Sequence, residues 1–537
     1  MNPKILFAVL LVTVALSAVM AEEEPDVVNT VDELVSKIAS ASNNETITLA
    51  PGVYDLSGKV VTETKNYATA YLKLTSYRIV LRGQNNKHWS LKTPEEETIL
   101  RGGNKGSIFY AHGQAPRMSA IYNITFENGY QPKNDGNTLC VGGGALSWAA
   151  SDGCSPAEGY GLVSNCVFRN CGSDYSGGAT YGIDAYDCLY TNCYSAANGG
   201  GAYGFYQRMA NYYHTNLFAN CVFVDNIAAT NGAALYCREM DMVSGCVFRD
   251  NFASNSCGGV YVENSGGIVK SCIFDGNQAR RIKSGTQVKN VTMICDSTFS
   301  GTGTVHAAEI DRCTFDGAVY GFIDNWNGLI TFDAATGNGR IANSLFTECE
   351  TPRLIVNAGV RADIENCTFA ANDISGQNEK KNYVFYAFRT GSAGTPTLPR
   401  PGTNVIANCL FSSNSIESDS NNEGDWSVNF NVTAGATNIV YNSMYVGGWG
   451  GAIPGRHDFT KIDNVADVKF AAGSTKYPTA PHYMPTKYSP AFNAGLVRPW
   501  MATGKDLAGN PRIAGDGVDI GCYEWNIPDL GTKIILR

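Results

Sequence analysis

Short apolar segments recur along the chain. Each has a small residue, then a residue that is aliphatic in most copies, then an aromatic residue, and an Asn follows shortly after. Side chains of a strand alternate between its two faces, so the small residue and the aromatic residue two places later share one face. Each segment is therefore predicted to form a short β-strand with one buried face. The clearest copies are SNCVFRN, ANCVFVDN, SGCVFRDN, KSCIFDGN, ENCTFAAN and ANCLFSSN, anchored at Cys166, Cys221, Cys246, Cys272, Cys367 and Cys409.

Two further signals complete a repeating unit of about 25 residues. A Gly-rich segment, such as GGATY from Gly177 or GGVYV from Gly258, predicts a second short strand. One unit cannot bury its apolar face alone, but stacked copies can. We therefore predict an all-β fold, a single-stranded right-handed parallel β-helix or solenoid with coils about 4.8 Å apart. A column of Asn three residues after the aromatic suits turns in which the side-chain amide bonds the backbone and left-handed geometry is tolerated. Its members are Asn226, Asn251, Asn277, Asn372 and Asn414.

The chain contains 17 Cys, an odd number, so at least one thiol has no partner within the chain. Several of them occupy the small-residue position of the repeat, which faces the core of the predicted coil. No Cys-x2-Cys pair is present, and the Cys-x4-Cys pairs have no nearby His to complete a zinc site. We therefore interpret the Cys column as a ladder of small buried side chains, with a disulfide framework as the alternative.

The two ends of the repeat differ from its middle. The segment TVDE from Thr30 has the form of a capping box, and residues 31–41 are predicted to form a short N-terminal helix that covers the first coil. After Tyr445 the repeat fades into a Pro-rich stretch that closes with DLAGNPRIAGDGVDIGCYEW. We therefore divide the mature chain into a β-helix with its N-terminal cap over 22–445 and a C-terminal capping region over 446–537.

Residues 1–21 are typical of a secretory signal peptide, with Lys4 in a positive n-region, an apolar stretch and small residues before Glu22. The apolar stretch is short for a bilayer, and we expect no transmembrane span. We expect a secreted or extracellular protein, soluble or surface-attached, and monomeric. Its net charge of -9, with 17% charged residues and no long basic run, argues against nucleic acid and anionic membranes as partners.

These features together resemble a known group of proteins. The N-terminal helix, the APGVY turn and the coils are similar to pectin-lyase-like right-handed β-helix proteins. The paired signals FRNC...GGA and FRDN...GGV resemble the FxxN and GGA[ILV] repeats of polymorphic outer-membrane proteins. The segments SPAFNAG, DLAGNPRI and VDIGCYE resemble the choice-of-anchor Q module that ends many secreted bacterial β-helix proteins. The resemblance implies a fold class that includes polysaccharide lyases and glycosidases, so their residues must be sought in this chain.

Two groups of charged residues are candidates for chemistry. Asp225 and Asp250 occupy the same repeat position in successive coils, close enough to share a Ca2+ ion or to act as acid and nucleophile. Arg280, Arg281 and Lys283, together with Lys289, form a basic cluster that suits neutralisation of a uronate carboxylate in a lyase. Of the four signatures of inverting pectin hydrolases, only Arg-Ile-Lys is present. The alternatives are turn caps for the acids and a solvated loop for the basic cluster.

A group of tyrosines is the candidate for substrate binding. Tyr203, Tyr206, Tyr212 and Tyr213 lie in a step of the repeat that is longer than usual, which predicts a loop leaving the coil. Aromatic faces on such a loop can stack on sugar rings, and the alternative is an aromatic core beneath the loop. Our leading hypothesis is a β-helix protein that binds polysaccharide or a surface glycan, with lyase or glycosidase activity open. The alternative is a non-catalytic surface or adhesin protein.

Overall fold

The computed structural model describes most of the chain between Val27 and Ile527. The predicted signal peptide lies outside the described residues. The described ranges are 27–63, 69–76, 78–113, 119–133, 142–150, 161–204, 207–209, 212–214, 216–264, 266–279, 286–319, 328–332, 338–357, 361–375, 383–387, 403–416, 426–432, 437–446, 448–450, 459–462, 465–471 and 480–527.

The chain forms a right-handed parallel β-helix, and the predicted fold class is confirmed. Parallel strands stack in register along the rod, so that each face of a coil continues into the next coil. Two short antiparallel pairs interrupt this pattern within the described residues, Thr62–Glu63 with Thr69–Leu74 and Gln207–Met209 with Tyr212–His214.

One face is a 15-stranded sheet that carries the aromatic residue of the repeat, and we call it the aromatic face. Its strands are Gly52–Asp55, Thr98–Arg101, Thr125–Glu127, Val167–Arg169, Leu189–Thr191, Val222–Val224, Val247–Arg249, Ile273–Asp275, Thr298–Thr302, Thr314–Val319, Leu345–Thr347, Thr368–Ala370, Leu410–Ser412, Ser443–Val446 and Phe459–Ile462. A narrower face follows it, with strands Tyr130–Gln131, Gly172–Ser173, Tyr194–Ser195, Ile227–Ala228, Phe252–Ala253 and Gln278–Ala279, and later Asp373–Ile374 and Ser415–Ile416.

The remaining strands form a 28-stranded sheet, the broad sheet, made of two ladders. The first ladder contains Thr62–Glu63, Thr69–Leu74, Ser107–Gly113, Leu146–Ala150, Thr180–Tyr181, Ala202–Gly204, Leu235–Cys237, Val260–Val262, Thr286–Cys295, Thr304–Asp311, Ile330–Phe332, Arg353–Asn357, Tyr383–Ala387, Trp426–Val432 and Gly448–Gly450. The second contains Val27–Val28, Thr46–Leu49, Val80–Gly83, Ala120–Tyr122, Leu162–Ser164, Asp184–Tyr186, Asn216–Ala219, Met240–Ser244, Ile268–Lys270, Thr286–Cys295, Thr304–Asp311, Asn338–Ala342, Arg361–Glu365, Thr403–Ala407 and Thr437–Tyr441.

The aromatic residues of the repeat form one continuous stack in the core. Register pairing sets Phe223 against Phe248 and Phe248 against Phe274, with ring centroids 5.1 and 4.8 Å apart. Each such pair contributes about 0.5–1.5 kcal/mol beyond the area it buries. The eleven rings of the stack belong to Phe126, Phe168, Tyr190, Phe223, Phe248, Phe274, Phe299, Phe315, Phe346, Phe369 and Phe411.

The cysteines of the repeat line the core beside this stack, and the ladder interpretation is confirmed for the described residues. All fifteen Cys in these residues are buried free thiols. Cys221 and Cys246 lie in successive coils, and each thiol donates to the carbonyl two residues earlier, at 3.3 and 3.4 Å. Burial raises the pKa of both thiols well above the ordinary value, so they stay protonated and unreactive.

The Asn column confirms the predicted bonds from the side-chain amide to the backbone, but its members are not the left-handed residues of the turns. The left-handed residue of each turn precedes the Asn, as at Asp225 (φ 55°) and Asp250 (φ 53°). Asn226 and Asn251 are instead buried, and the amide of Asn226 donates to Tyr190 O at 3.0 Å and to Asn251 Oδ1 at 2.9 Å. These bonds satisfy backbone groups inside the rod, which would otherwise be costly to bury.

The first and last described segments of the chain pack against the rod. The helix Val31–Ser40 begins with the predicted capping box at Thr30 and buries Leu34 and Ile38. Residues 480–527, the C-terminal module, lie along the flank of the later coils, where Ala491 and Ile520 pack on Leu410 and Met444 of the aromatic face. The other helices are short: Val465–Val468 and the 3-10 turns Trp89–Leu91, Pro94–Glu96 and Pro499–Ala502. In the described part of the chain, no helix has the length and apolarity needed to cross a membrane.

Candidate functional site

The two predicted acids lie side by side in a column of turns. Asp225 and Asp250 are exposed and left-handed, and their amides donate to Arg249 O at 3.2 Å and Asp275 O at 3.1 Å. A short polar side chain tolerates this backbone conformation better than most residues do. The turn geometry therefore accounts for both residues, and their part in a reaction stays a prediction.

The predicted basic cluster cannot be placed as a group, because Arg280, Arg281 and Lys283 lie outside the described residues, as does Tyr206. Its fourth member, Lys289, lies on strand Thr286–Cys295 with its ammonium 5.7 Å from the ring centre of Tyr261. The long step of the repeat contains an antiparallel hairpin, whose strand Tyr212–His214 includes Tyr212 and Tyr213.

Tyr203 belongs to a second aromatic stack, on the outward side of the first ladder. Its ring lies 5.0 Å from Tyr181 and 5.2 Å from Tyr236, nearly parallel to both, and Tyr261 continues the stack at 5.1 Å. Both faces of the Tyr203 ring are therefore occupied by other rings, which leaves its edge and hydroxyl. Burial raises the pKa of Tyr203 to about 12, so this hydroxyl stays protonated at neutral pH.

A different set of polar residues converges where the two ladders of the broad sheet join. The strands Thr286–Cys295 and Thr304–Asp311 belong to both ladders and create a continuous outward surface. Because Ile310 points into the core, Glu309 and Asp311 on either side of it face outward. We call the group around them the charged cluster, made of Glu309, Asp311, Arg312, Arg340 and Glu365.

Register pairing brings the next coils into this cluster. Glu309 pairs with Arg340, and its carboxylate accepts from Arg340 Nη1 at 2.7 Å. Arg340 Nη2 also lies 3.8 Å from Glu365 Oε2, one coil further along. Arginine therefore bridges carboxylates from two different strands, which holds the side chains in a fixed arrangement.

Asp311 is the most enclosed acid of the cluster, with 8% of its surface exposed. Asn343 Nδ2 donates to its Oδ1 at 2.8 Å, and Arg312 Nη1 contacts its Oδ2. Burial raises the pKa of Asp311, against the opposite effects of Asn343, Arg312 and Arg340. A carboxyl with a raised pKa beside a fixed carboxylate is an arrangement typical of acid–base catalysis.

The C-terminal module supplies the remaining contacts. Arg498 Nε lies 3.5 Å from Glu365 Oε1, and the guanidinium of Arg340 lies 4.8 Å from the ring centre of Trp500. The cluster is thus built from three coils and a segment more than a hundred residues later. Among the described residues, no group of three or more His, Cys, Asp or Glu is arranged to hold a metal ion, so no site for the expected Ca2+ is assigned.

Sequence reasoning missed the charged cluster, although a signal for it exists. The segments EIDRC, RIANS and DIENC end at three successive anchors. EIDRC and DIENC place acids on both sides of the inward Ile, and RIANS places Arg340 before it. Aligning outward positions as well as inward ones would have shown charges concentrated in these coils.

No protein-family model matches the chain, and no curated protein does either. Solved structures with similarity include a PL6 alginate lyase in complex with a trisaccharide, at 12% identity and a TM-score of 0.38, covering 79% of this chain and 86% of that one. The pectate lyase Pel9A follows at 10% identity and a TM-score of 0.28, covering 91% and 90%. The A-module of a mannuronan C-5 epimerase from Azotobacter vinelandii has 12% identity and a TM-score of 0.30, covering 81% and 95%. At identities of 10–12%, these similarities concern the fold and give no information about the substrate or the reaction of this chain.

Proposed function

We propose that the chain is an exported polysaccharide-acting protein, a glycoside hydrolase whose proton donor is Asp311 and whose second carboxylate is Glu309. The observation that carries the proposal is the pair itself, two outward carboxyl groups on one strand in different environments. Glycosidases use two carboxyl groups that flank the glycosidic bond, one as a general acid and the other as a nucleophile or as a general base that activates water.

The two environments favour different roles. Burial raises the pKa of Asp311, which is the direction expected of a group that donates a proton to the leaving oxygen of a glycosidic bond. Glu309 has more exposure and receives Arg340 at 2.7 Å, which stabilises its negative charge for activating water. Arg340 therefore supports the base while Asn343 orients the acid.

The charges of the cluster favour a neutral glycan over a uronate polymer. A uronate lyase needs cations that neutralise the carboxylate of its substrate. Arg312 is bound in two places by Asp296, at 2.6 and 3.1 Å, and Arg340 and Arg498 contact Glu309 and Glu365. Among the described residues of the cluster, the arginines are already paired with the chain's own carboxylates.

The proposal is tested by screening the exported protein against neutral and uronate polysaccharides, with and without Ca2+, while reducing ends and unsaturated products are measured. We expect reducing ends without unsaturated products from a neutral polymer. Asp311→Asn should then lower the rate by about 100-fold or more. Asp363→Asn, which alters an acid paired with Arg361 two residues earlier on the same strand, is the control.

Other outcomes would each overturn a defined part of the proposal. Unsaturated products would identify a lyase and reject hydrolysis. Binding without any cleavage would favour the non-catalytic surface protein. A full rate in Asp311→Asn would remove Asp311 from the reaction.

A further inference from the structure

The C-terminal module is attached to the rod through a row of left-handed Asn residues. Asn408 exchanges two hydrogen bonds with Leu496, at 2.7 and 2.8 Å, and its carbonyl accepts from Gly521 N at 2.9 Å. Asn366 Nδ2 donates to Asp519 O at 3.3 Å, and Cys522 N donates to Thr368 Oγ1 at 3.0 Å. The module is therefore in register with two successive coils of the rod, and the first of them also carries Glu365 of the charged cluster.

This attachment places two side chains of the module on the charged cluster. Arg498 reaches Glu365, and Trp500 lies beneath the guanidinium of Arg340. A cation over an indole ring is stabilised by about 0.5–2 kcal/mol, so Trp500 restricts the orientation of Arg340. Since Arg340 holds Glu309 at 2.7 Å, the position of Trp500 bears on the carboxylate that activates water.

A buried ionic group holds the module in its own fold. Arg512 is fully buried, with Nε 3.1 Å from Glu524 Oε1 and Nη2 donating to Asp519 O at 3.1 Å. Asp506 and Asp519 are also buried, and their carboxylates accept backbone N–H groups from Glu524, at 2.9 Å, and Trp525, at 2.7 Å. Arg512 pairs with the carboxyl group of Glu524 in a segment that also buries Asp506 and Asp519, so removal of Arg512 takes away the cation that opposes their negative charge.

We propose that the C-terminal module completes the polysaccharide site, with Arg498 and Trp500 as positioning residues that orient Glu365 and Arg340, and with Arg512 keeping the module docked. The inference rests on the proposed function, because it takes the charged cluster as the site. It assigns the module a part in the reaction in addition to its packing on the flank of the rod.

The test compares Trp500→Ala and Arg498→Ala with Trp500→Phe, in the full-length protein and on the neutral polymer identified by the screen. We expect the two Ala variants to lower kcat/KM about tenfold and to shift the pH profile of kcat, because Arg340 loses the ring of Trp500 and Glu365 loses its contact with Arg498. Trp500→Phe keeps a ring beneath the guanidinium and should restore most of the rate. Leu496→Ala is the matched control, since Leu496 contacts the rod through its backbone and its side chain is 46% exposed.

A second variant tests the docking itself. Arg512→Leu should make residues 480–527 cleavable by protease under conditions where the rod resists, with a loss of kcat/KM at least as large as in Trp500→Ala. Release of the module with an unchanged rate would overturn the inference. Unchanged kcat, KM and pH profile in both Trp500→Ala and Arg498→Ala would overturn it as well.

The outcomes separate this inference from the proposed function. If Asp311→Asn abolishes cleavage while Trp500→Ala and Arg498→Ala behave like wild type, the reaction stands and the role of the module is wrong. If the wild type cleaves no polymer, its binding to the same polymers is measured by affinity electrophoresis in place of the cleavage rate. Weaker binding in Trp500→Ala then supports the module as part of a binding site, and unchanged binding rejects it.

Discussion

The middle coils, 166–279, and the later coils, 304–365, have the same interior and different exteriors. In both, aromatic rings stack at about 5 Å and buried Cys or Ser fills the anchor position. The middle coils expose aliphatic side chains, as at Ile227 (41%) and Ile273 (45%). The later coils carry the charged cluster and contact the C-terminal module. The comparison shows that the repeat specifies the core, whereas chemistry depends on outward positions that the repeat leaves free.

The largest expected difference between the two regions concerns catalysis. Glu309→Gln and Asp311→Asn should lower the rate by about 100- to 10,000-fold, because each removes a group that transfers a proton. Asp225→Asn and Asp250→Asn should leave the rate unchanged, since Asn tolerates the same left-handed turn. Initial rates on one polymer, with folding checked by circular dichroism, measure the contrast. Equal losses of rate in the Glu309 and Asp311 variants and in the Asp225 and Asp250 variants would show that the turns also take part in the reaction. The two regions would then not differ in catalysis.

The cores of the two regions should be equally sensitive to truncation. Phe274→Ala in the middle coils and Phe346→Ala in the later coils each remove one ring from the stack, and both side chains are fully buried. We expect the free energy of unfolding to fall by about 3–5 kcal/mol in each case. Denaturant unfolding measures this change. A much smaller loss at Phe346 would show that the later coils rely on the module and less on their own core.

Stability of the C-terminal module should depend on pH in a way that the middle coils do not share. Burial, with Asp519 and Asp506 nearby, raises the pKa of Glu524 from the ordinary 4.5 to about 8, and Arg512 opposes the shift. The titratable groups around it also include the thiols of Cys522 and, from the rod, Cys367, whose pKa values burial raises. A group with a raised pKa stabilises the fold fully below its unfolded value, and this contribution is lost as pH rises through the folded value.

Docking should therefore weaken between about pH 4.5 and 8 and level off above that range. Protease sensitivity of residues 480–527 across this range is the measurement. Glu524→Gln, which cannot ionise, should flatten the profile, and an unchanged slope in that variant would assign the pH dependence to other groups.

The smallest effect is expected at the cysteines, which are alike in both regions. Thiol titration of the native protein should find little reactivity, and titration after unfolding should find most of the 17 Cys free. Replacing Cys246 by Ser should cost about 1 kcal/mol or less, because Ser297 and Ser344 fill the same column and donate to a carbonyl at 2.8 and 2.7 Å. A nearly complete set of disulfides would contradict the ladder.

The sequence by itself determined the architecture of the rod. Alternation with a period of two, repeated every 25 residues or so, specifies which side chains point inward, and stacking then follows from the need to bury them. The helix at Val31–Ser40 was equally predictable, because its capping box and apolar face are local signals.

Only the tertiary structure decided where the charged residues meet. Glu309 and Arg340 lie on different coils, and register pairing makes them neighbours. Arg498 reaches Glu365 because the module docks on the rod through contacts between distant residues, for which no local pattern exists. The Asn column shows the same limit, since local propensity suggested left-handed turns, whereas stacking buried the Asn amides and moved the left-handed position to the residue before. Inward positions follow a periodic rule. Contacts between outward side chains depend on the register between neighbouring coils and on the segment that packs against their outer surface.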